Sequence, residues 1–239
     1  MTPDTGYVLL DLAVTDSQGN SISLTDENTF TMPARAVTVK ASFAPIPDEN
    51  QEKPCDGGAD CPSRAYADLR TGTWYHEAVD YAIREGLLAG FEDGTFRPDS
   101  PLTRGQLAQI LYNMEGRPSV NGGSSFLDVA PDSWYADAVT WAAAQGIVGG
   151  YGNGRFGPRD NITREQLAVM LWRYAKEPAA TDKELHFSDA AQAGSWALDA
   201  LRWAGENGIL NGKGSGILDP KGLTSRAEAA QMFNNLFNR

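Results

Sequence analysis

One block of about sixty residues occurs three times along this chain of 239 residues. The equivalent tryptophans are Trp74, Trp134 and Trp196, and the equivalent arginines are Arg104, Arg164 and Arg226. Repetition at a fixed period indicates one supersecondary unit used several times, because neighbouring copies then bury each other's apolar faces. We therefore expect any binding site of the repeats to recur on up to three equivalent surfaces.

Each copy carries the same local signals in the same order. An aromatic residue and an aspartate come first, at 66–68, 126–128 and 187–189. A tryptophan then opens an amphipathic helix, which ends at a glycine suited to positive φ. After a glycine-rich turn, a hydroxyl residue acts as the N-cap of a second helix that begins at the neighbouring arginine. The predicted end glycines are Gly86, Gly146 and Gly208, and the predicted N-caps are Thr103, Thr163 and Ser225.

Residues 1–44 predict β structure instead, because Val37, Val39 and Ala41 alternate with polar residues. Residues 45–63 form a linker rich in proline, glycine and acidic residues. The linker contains both cysteines of the chain, Cys55 and Cys61. A small disulfide loop is the favoured interpretation, and free thiols or a metal clip are the alternatives. Two thiols without a nearby histidine make a poor zinc site.

The composition excludes several function classes. The formal net charge is −11. The absence of a lysine- or arginine-rich stripe argues against binding to nucleic acid and against a polybasic contact with a membrane surface. No apolar run is long enough to insert into a membrane. The chain has only two histidines, and His76 is expected on a helix surface. We therefore predict a protein that is not an enzyme, with no catalytic residues, no cofactor and no metal.

The order Phe-x-Asp-Val, Trp-Tyr, Ala-Val, Gly-Ile, Gly-x-Phe-x-Pro and Thr-Arg closely resembles the S-layer homology (SLH) domain. The resemblance covers three tandem repeats at 64–118, 124–178 and 185–239, and implies a mainly α-helical, pseudo-threefold unit. The words TPDTGYVLLDLAVTDSQGN and FTMPARAVTVKASF, in residues 1–44, resemble the second half of an internalin-type B repeat. The chain is therefore expected to be the C-terminal part of a longer surface protein, with a small N-terminal β segment.

The resemblance implies non-covalent anchoring of an exported protein to a secondary polysaccharide of the bacterial cell wall, often one that carries pyruvate ketals. The expected location is the cell wall or the cell surface. Two alternatives remain open: an accessory region of a larger extracellular enzyme, or a self-assembly module that contacts neighbouring surface-layer subunits. The Ala-Glu part of the family's Thr-Arg-Ala-Glu word occurs only in the third copy, at 227–228. Other departures in the third copy predict that its groove is weaker or purely structural.

The predicted carbohydrate-binding residues share equivalent positions in the three copies. An arginine in the first turn of a capped helix offers a two-pronged donor to a carboxylate, and the helix start adds unpaired N–H groups. The alternative is a structural arginine that pairs with a nearby aspartate. The tryptophans are expected to anchor the core, with sugar stacking as the alternative, and the aspartates to fix a local turn. The predicted residues are Arg104, Arg164, Arg226, Trp74, Trp134, Trp196, Asp68, Asp128 and Asp189.

Overall fold

A computed structural model describes residues 7–25, 29–45 and 57–238. The chain divides into two compact units between residues 53 and 54. In the first unit, β1 (Tyr7–Asp16) pairs antiparallel with β2 (Val37–Pro45). Val14 lies opposite Val39 in this ladder and is buried. The β structure predicted for the N-terminal segment is therefore confirmed at these two strands, whereas the domain boundaries stay predictions.

The second unit is helical, and each repeat contributes two α-helices to it. Short 3-10 helices occur at Pro62–Ala65, Ala190–Gln192 and Ser195–Ala197. The mainly α-helical class predicted from the sequence is confirmed. The helices are α1 (His76–Arg84), α2 (Arg104–Met114), α3 (Ala136–Ala144), α4 (Arg164–Tyr174), α5 (Leu198–Glu206) and α6 (Arg226–Phe237).

The repeats close into a ring. The second helix of each repeat packs against the first helix of the next, so that α2 contacts α3, α4 contacts α5, and α6 contacts α1. One continuous apolar cluster runs through all three repeats and includes Leu107, Ile110 and Leu111, as their helical spacing predicts. Because α6 returns to α1, the apolar faces of the first and last repeats cover each other.

A closed ring of three backbone hydrogen bonds marks the centre of this arrangement. The N–H of Leu102 donates to the carbonyl of Thr224 (2.9 Å), Thr224 donates to Ile162 (2.9 Å), and Ile162 donates to Leu102 (2.8 Å). All three residues are fully buried. The hydroxyl of Thr224 has no partner among the described residues, which leaves one polar group orphaned in an apolar centre.

The ends of the helices agree with their sequence signals. Thr103 Oγ1 accepts from the N–H of Gln106, whose Oε1 accepts in return from the N–H of Thr103. This reciprocal capping box recurs at Thr163 with Gln166 and at Ser225 with Glu228. The predicted N-caps and helix starts are therefore confirmed. The first helices, however, begin two residues after each tryptophan rather than at it.

Glycine is required at two sets of positions for different physical reasons. Gly86, Gly146 and Gly208 adopt φ values of 66°, 72° and 61° after the first helices, as predicted. Gly90 is needed for a different reason, because its φ is not positive. A Cβ atom at Gly90 would lie 1.8 Å from the ring of Tyr66. This glycine therefore makes room for the aromatic residue that starts the repeat.

Candidate functional site

The repeated position at the start of each second helix holds a buried arginine that reaches into the next repeat. Arg104 is 6% exposed. Its Nε donates to the carbonyl of Phe156 (2.9 Å), and its Nη2 donates to the carbonyl of Gly149 (2.9 Å). The guanidinium carbon lies 4.6 Å from the centre of the Phe156 ring and 4.9 Å from that of Tyr151. These contacts leave the third nitrogen of the guanidinium, Nη1, without a hydrogen-bond partner among the described residues.

The other two arginines repeat this geometry. Nε and Nη2 of Arg164 donate to the carbonyls of Leu218 (2.8 Å) and Asn211 (2.7 Å). Those of Arg226 donate to Phe96 (2.9 Å) and Ala89 (2.6 Å), so the third repeat is joined back to the first. The arginines thus bond mainly to backbone carbonyls rather than to the aspartates considered as structural partners. Each one holds two repeats together.

The N-terminus of the second helix is not an open anion site. The N–H of Arg104 donates to the carbonyl of Asp160 (3.0 Å), and that of Gly105 donates to Pro158 (2.9 Å). The third N–H, of Gln106, belongs to the capping box. The starts of α4 and α6 are bonded in the same way. The expectation that unpaired N–H groups would bind a ligand here is therefore wrong, because the neighbouring repeat already supplies their acceptors.

The three repeated tryptophans lie on the surface. Trp74, Trp134 and Trp196 are 64%, 62% and 55% exposed. The expectation that they anchor the core is wrong, because they precede the helices and lie outside their apolar stripes. In the second copy, the adjacent Tyr135 is buried instead and contacts Trp134 edge-on. The tryptophans thus present flat apolar faces to solvent.

The repeated aspartates hold a distant turn, not the local turn that was expected. The Asp68 carboxylate accepts from the N–H groups of Phe96 and Arg97, both at 2.7 Å. Phe96 is also the residue whose carbonyl accepts from Arg226. The aspartate and the arginine therefore fix opposite sides of the same residue. Asp128 and Asp189 make the equivalent pairs of bonds.

These bonds favour the ionised carboxylates. The pKa of Asp189 is lowered from 3.8, first by the N–H of Leu218 and also by that of Asp219, although burial opposes the change. Burial is the largest single influence on Asp128 and raises its pKa, but the N–H groups of Phe156 and Gly157 and further contributions outweigh it, and the net pKa is lowered.

Two grooves combine residues of all three repeats. Groove A, of about 410 Å³, is lined by Arg104 from the first repeat, Tyr151 from the second and Trp196 from the third. Groove B, of about 470 Å³, is lined by Arg164 from the second repeat, Lys213 from the third and Trp74 from the first. In these two grooves the structure brings two of the predicted arginines together with two of the predicted tryptophans, but it pairs them across repeats.

The two grooves differ in whether a carboxylate lines them. Groove B contains Glu228, whose Oε1 lies 3.4 Å from Nη1 of Arg164 and 3.6 Å from Nζ of Lys213. In groove A the same third position of the second helix is Gln166. Groove A also contains Arg173 and no carboxylate among its lining residues. An anionic ligand therefore meets no carboxylate among the residues that line groove A.

Sequence reasoning missed Tyr151 and Lys213, which directly follow the aligned glycines Gly150 and Gly212. Their residue types differ between copies, so repetition alone did not single them out. Their place after a glycine that all three copies share is the signal that could have found them.

His76 is buried, so the expectation of a surface histidine is wrong. It is 4% exposed and lies beside Cys61 and Asp80. Cys61 is buried and forms no disulfide with any described residue. Cys55 lies outside the described residues, and the Cys55–Cys61 disulfide stays a prediction. The second histidine, His186, is exposed and pairs with an aspartate.

Comparison with protein families identifies the repeats. The S-layer homology domain matches residues 65–108, 125–168 and 186–230, which is more than half of the chain. The chain belongs to the S-layer homology family. A divergent InlB B-repeat domain matches residues 1–47. Membership of the S-layer homology family makes this a protein of the bacterial cell surface, and no helix in the described ranges is long and apolar enough to cross a bilayer.

Several curated proteins are similar to this S-layer homology chain. A surface-layer 125 kDa protein of Lysinibacillus sphaericus is 30% identical over 164 residues, 66% of this chain and 14% of that protein. The cellulosome-anchoring protein of Acetivibrio thermocellus is 26% identical over 161 residues, 64% of this chain and 36% of that protein. Exoglucanase XynX of the same species is 28% identical over 171 residues, 70% of this chain and 16% of that protein. The chain thus spans a minor part of each relative, and the likeness to an enzyme shows no catalytic role here.

Proposed function

We propose that the three repeats bind a secondary polysaccharide of the bacterial cell wall without a covalent bond, and so anchor an exported protein to the wall. The observation that carries this proposal is groove A, where a buried arginine of one repeat lies in the same cavity as an exposed tryptophan of another. Membership of the S-layer homology family and the likeness to a protein named for cellulosome anchoring support it.

The chemistry of groove A suits a sugar that carries a carboxylate, such as a pyruvate ketal. Nη1 of Arg104 offers a charged donor, and Arg173 adds a second positive charge. Trp196 offers an apolar face against which a sugar ring can pack. Because the groove offers partners for both a carboxylate and a sugar ring, it favours wall glycans that carry an anionic substituent over neutral ones.

We assign different roles to the predicted site residues. Arginines and tryptophans contact the glycan, whereas Asp68, Asp128 and Asp189 position the turns whose carbonyls hold the arginines. By the symmetry of the repeats, Arg226 and Trp134 belong to a third groove. Each groove uses all three copies, so the departures in the third copy are distributed over the grooves.

Replacing Trp196 tests the proposal with little risk to the fold, because this side chain is 55% exposed. Trp196→Ala should weaken retention on purified wall polysaccharide by about fivefold or more, given an aromatic contribution of about 1 kcal/mol. Leu127→Ala is the matched control, because Leu127 is 83% exposed and apolar but lines neither groove. Circular dichroism should show both variants folded.

Equal retention by folded Trp196→Ala and Leu127→Ala would contradict a glycan site in groove A. Sedimentation of the unliganded chain distinguishes anchoring from the alternative, which is self-assembly into a lattice. A monomer that binds polysaccharide supports anchoring, whereas concentration-dependent assembly without polysaccharide binding contradicts it.

A further inference from the structure

A second cluster of chemically reactive side chains lies at the start of the first repeat and lines neither groove. Cys61, His76 and Asp80 are 7%, 4% and 2% exposed. One ligand atom from each lies within 4.8 Å of the other two. Cys61 comes from the segment before the 3-10 helix Pro62–Ala65, whereas His76 and Asp80 are one turn apart on α1.

The distances within the cluster match those between ligands of a tetrahedral zinc ion. Cys61 Sγ lies 3.7 Å from His76 Nε2 and 3.3 Å from Asp80 Oδ2, and these two atoms are 3.4 Å apart. Zinc bonds of about 2.3 Å to sulfur and about 2.0 Å to nitrogen or oxygen place tetrahedral ligand atoms about 3.5, 3.5 and 3.3 Å apart in the same order. A metal ion therefore fits among these atoms with shifts of a few tenths of an ångström.

Ser63 orients His76 and Asp80 by contacting the nitrogen and the oxygen that do not face the cluster. Its Oγ lies 3.2 Å from His76 Nδ1, so that a proton on Nδ1 leaves the Nε2 lone pair directed at the cluster. Its N–H donates to Asp80 Oδ1 at 2.8 Å, on the side away from Cys61. Such outer contacts fix the tautomer and orientation of ligands in protein metal sites.

The cluster interrupts the repeat pattern. The residues aligned with His76 are Ala136 and Leu198, each the first residue of its helix. Those aligned with Asp80 are Thr140 and Arg202. None of these replacements could complete such a site, although the helices pack in the same ring. The polar residues of the first copy therefore serve something other than the shared fold.

We propose that Cys61, His76 and Asp80 bind a divalent transition-metal ion, with zinc as the best match, and leave a fourth position for water or another ligand. The thiol loses its proton to the solvent when the metal–sulfur bond forms, so binding strengthens as pH rises. The ion fastens the chain at 61–63 to α1. This site is independent of the glycan-binding proposal.

Cobalt binding to the full-length chain tests the site directly. Cys55→Ser removes the only other cysteine, so that a disulfide cannot form and any thiolate signal comes from Cys61. After treatment with reductant and chelator, one equivalent of Co²⁺ should produce a thiolate-to-cobalt charge-transfer band. One equivalent of Zn²⁺ should abolish that band and raise the melting temperature. The reduced natural sequence should behave in the same way.

Variants assign the ligands. His76→Ala and Asp80→Asn should each weaken zinc binding at least tenfold, the scale on which ligand and outer contacts act. His186→Ala is the matched control, because His186 is the other histidine of the chain and is exposed. If His76→Ala fails to fold, the nearly isosteric Asp80→Asn and the cobalt spectrum of Cys55→Ser still test whether the cluster binds a metal ion.

Two results would overturn the proposal. One is a folded, reduced Cys55→Ser chain with no charge-transfer band and no change in melting temperature with zinc. The other is a protein isolated from its host with a complete Cys55–Cys61 disulfide, because that bond consumes the sulfur ligand.

Discussion

The one carboxylate among the residues that line the two grooves offers the sharpest perturbation. Glu228→Gln removes it from groove B, and Gln166→Glu introduces a carboxylate at the aligned position of groove A. Both substitutions keep the capping box, since glutamine and glutamate each perform that role in this chain. We expect Glu228→Gln to tighten binding of an anionic glycan in groove B, and Gln166→Glu to weaken it in groove A.

The magnitude follows from the geometry around Arg164. A ligand carboxylate about 2.8 Å from Nη1 of Arg164 lies roughly 5 Å from the Glu228 carboxylate, whose Oε1 is itself 3.4 Å from that nitrogen. Two like charges at about 5 Å repel by about 3 kcal/mol at an effective dielectric constant near 20, and by about 1 kcal/mol in water. Removing the charge should therefore tighten binding by about 5- to 150-fold.

Calorimetric titration with an oligosaccharide that carries one pyruvate ketal measures this effect. For Glu228→Gln, Trp196→Ala in the background weakens groove A, so that the signal reports groove B. For Gln166→Glu, Trp74→Ala in the background weakens groove B, so that the signal reports groove A. Repeating the titration at high salt should shrink the difference, because salt screens exposed charges. Unchanged affinity for both Glu228→Gln and Gln166→Glu would refute the argument that these grooves bind the anionic group beside the arginine.

Three further predictions concern stability. Thr224→Val should raise the free energy of unfolding by about 1 kcal/mol in chemical denaturation, because it removes the hydroxyl that has no partner among the described residues. A decrease would contradict the apolar centre. Arg104→Ala should lower the free energy of unfolding by about 2–4 kcal/mol, because two carbonyls lose their charged donor. An unchanged unfolding transition would show that these bonds are dispensable. The pKa of Asp128 is lowered on folding, so its contribution to stability is present above its unfolded pKa near 3.8 and is lost as pH falls through the lower folded value. The melting temperature should therefore drop as pH falls below about 3.8, and should drop less in Asp128→Asn.

Local signals allowed much of the fold to be predicted. The N-caps at Thr103, Thr163 and Ser225 and the end glycine Gly86 depend on a few neighbouring residues, and they occur where the pattern places them. The period of the repeat also predicted the common architecture. Such features are readable because both partners of each interaction are close in sequence.

The candidate site was less predictable because its contacts cross repeats. Arg104 bonds to Phe156 and shares its groove with Trp196, and nothing local specifies which copy meets which. Trp134 lies seven residues before Trp141, which is a helical spacing, but the helix begins only after Trp134. His76 is buried by the segment around Cys61, which lies outside the repeat pattern.

The central claim, that the grooves bind an anionic substituent of a wall glycan, is tested most directly by removing that substituent. Purified wall polysaccharide is titrated into the chain before and after hydrolysis of its pyruvate ketals. Loss of a charge-assisted contact of about 1.5–3 kcal/mol predicts at least tenfold weaker binding after hydrolysis. Equal affinity for the two polysaccharides would contradict the account.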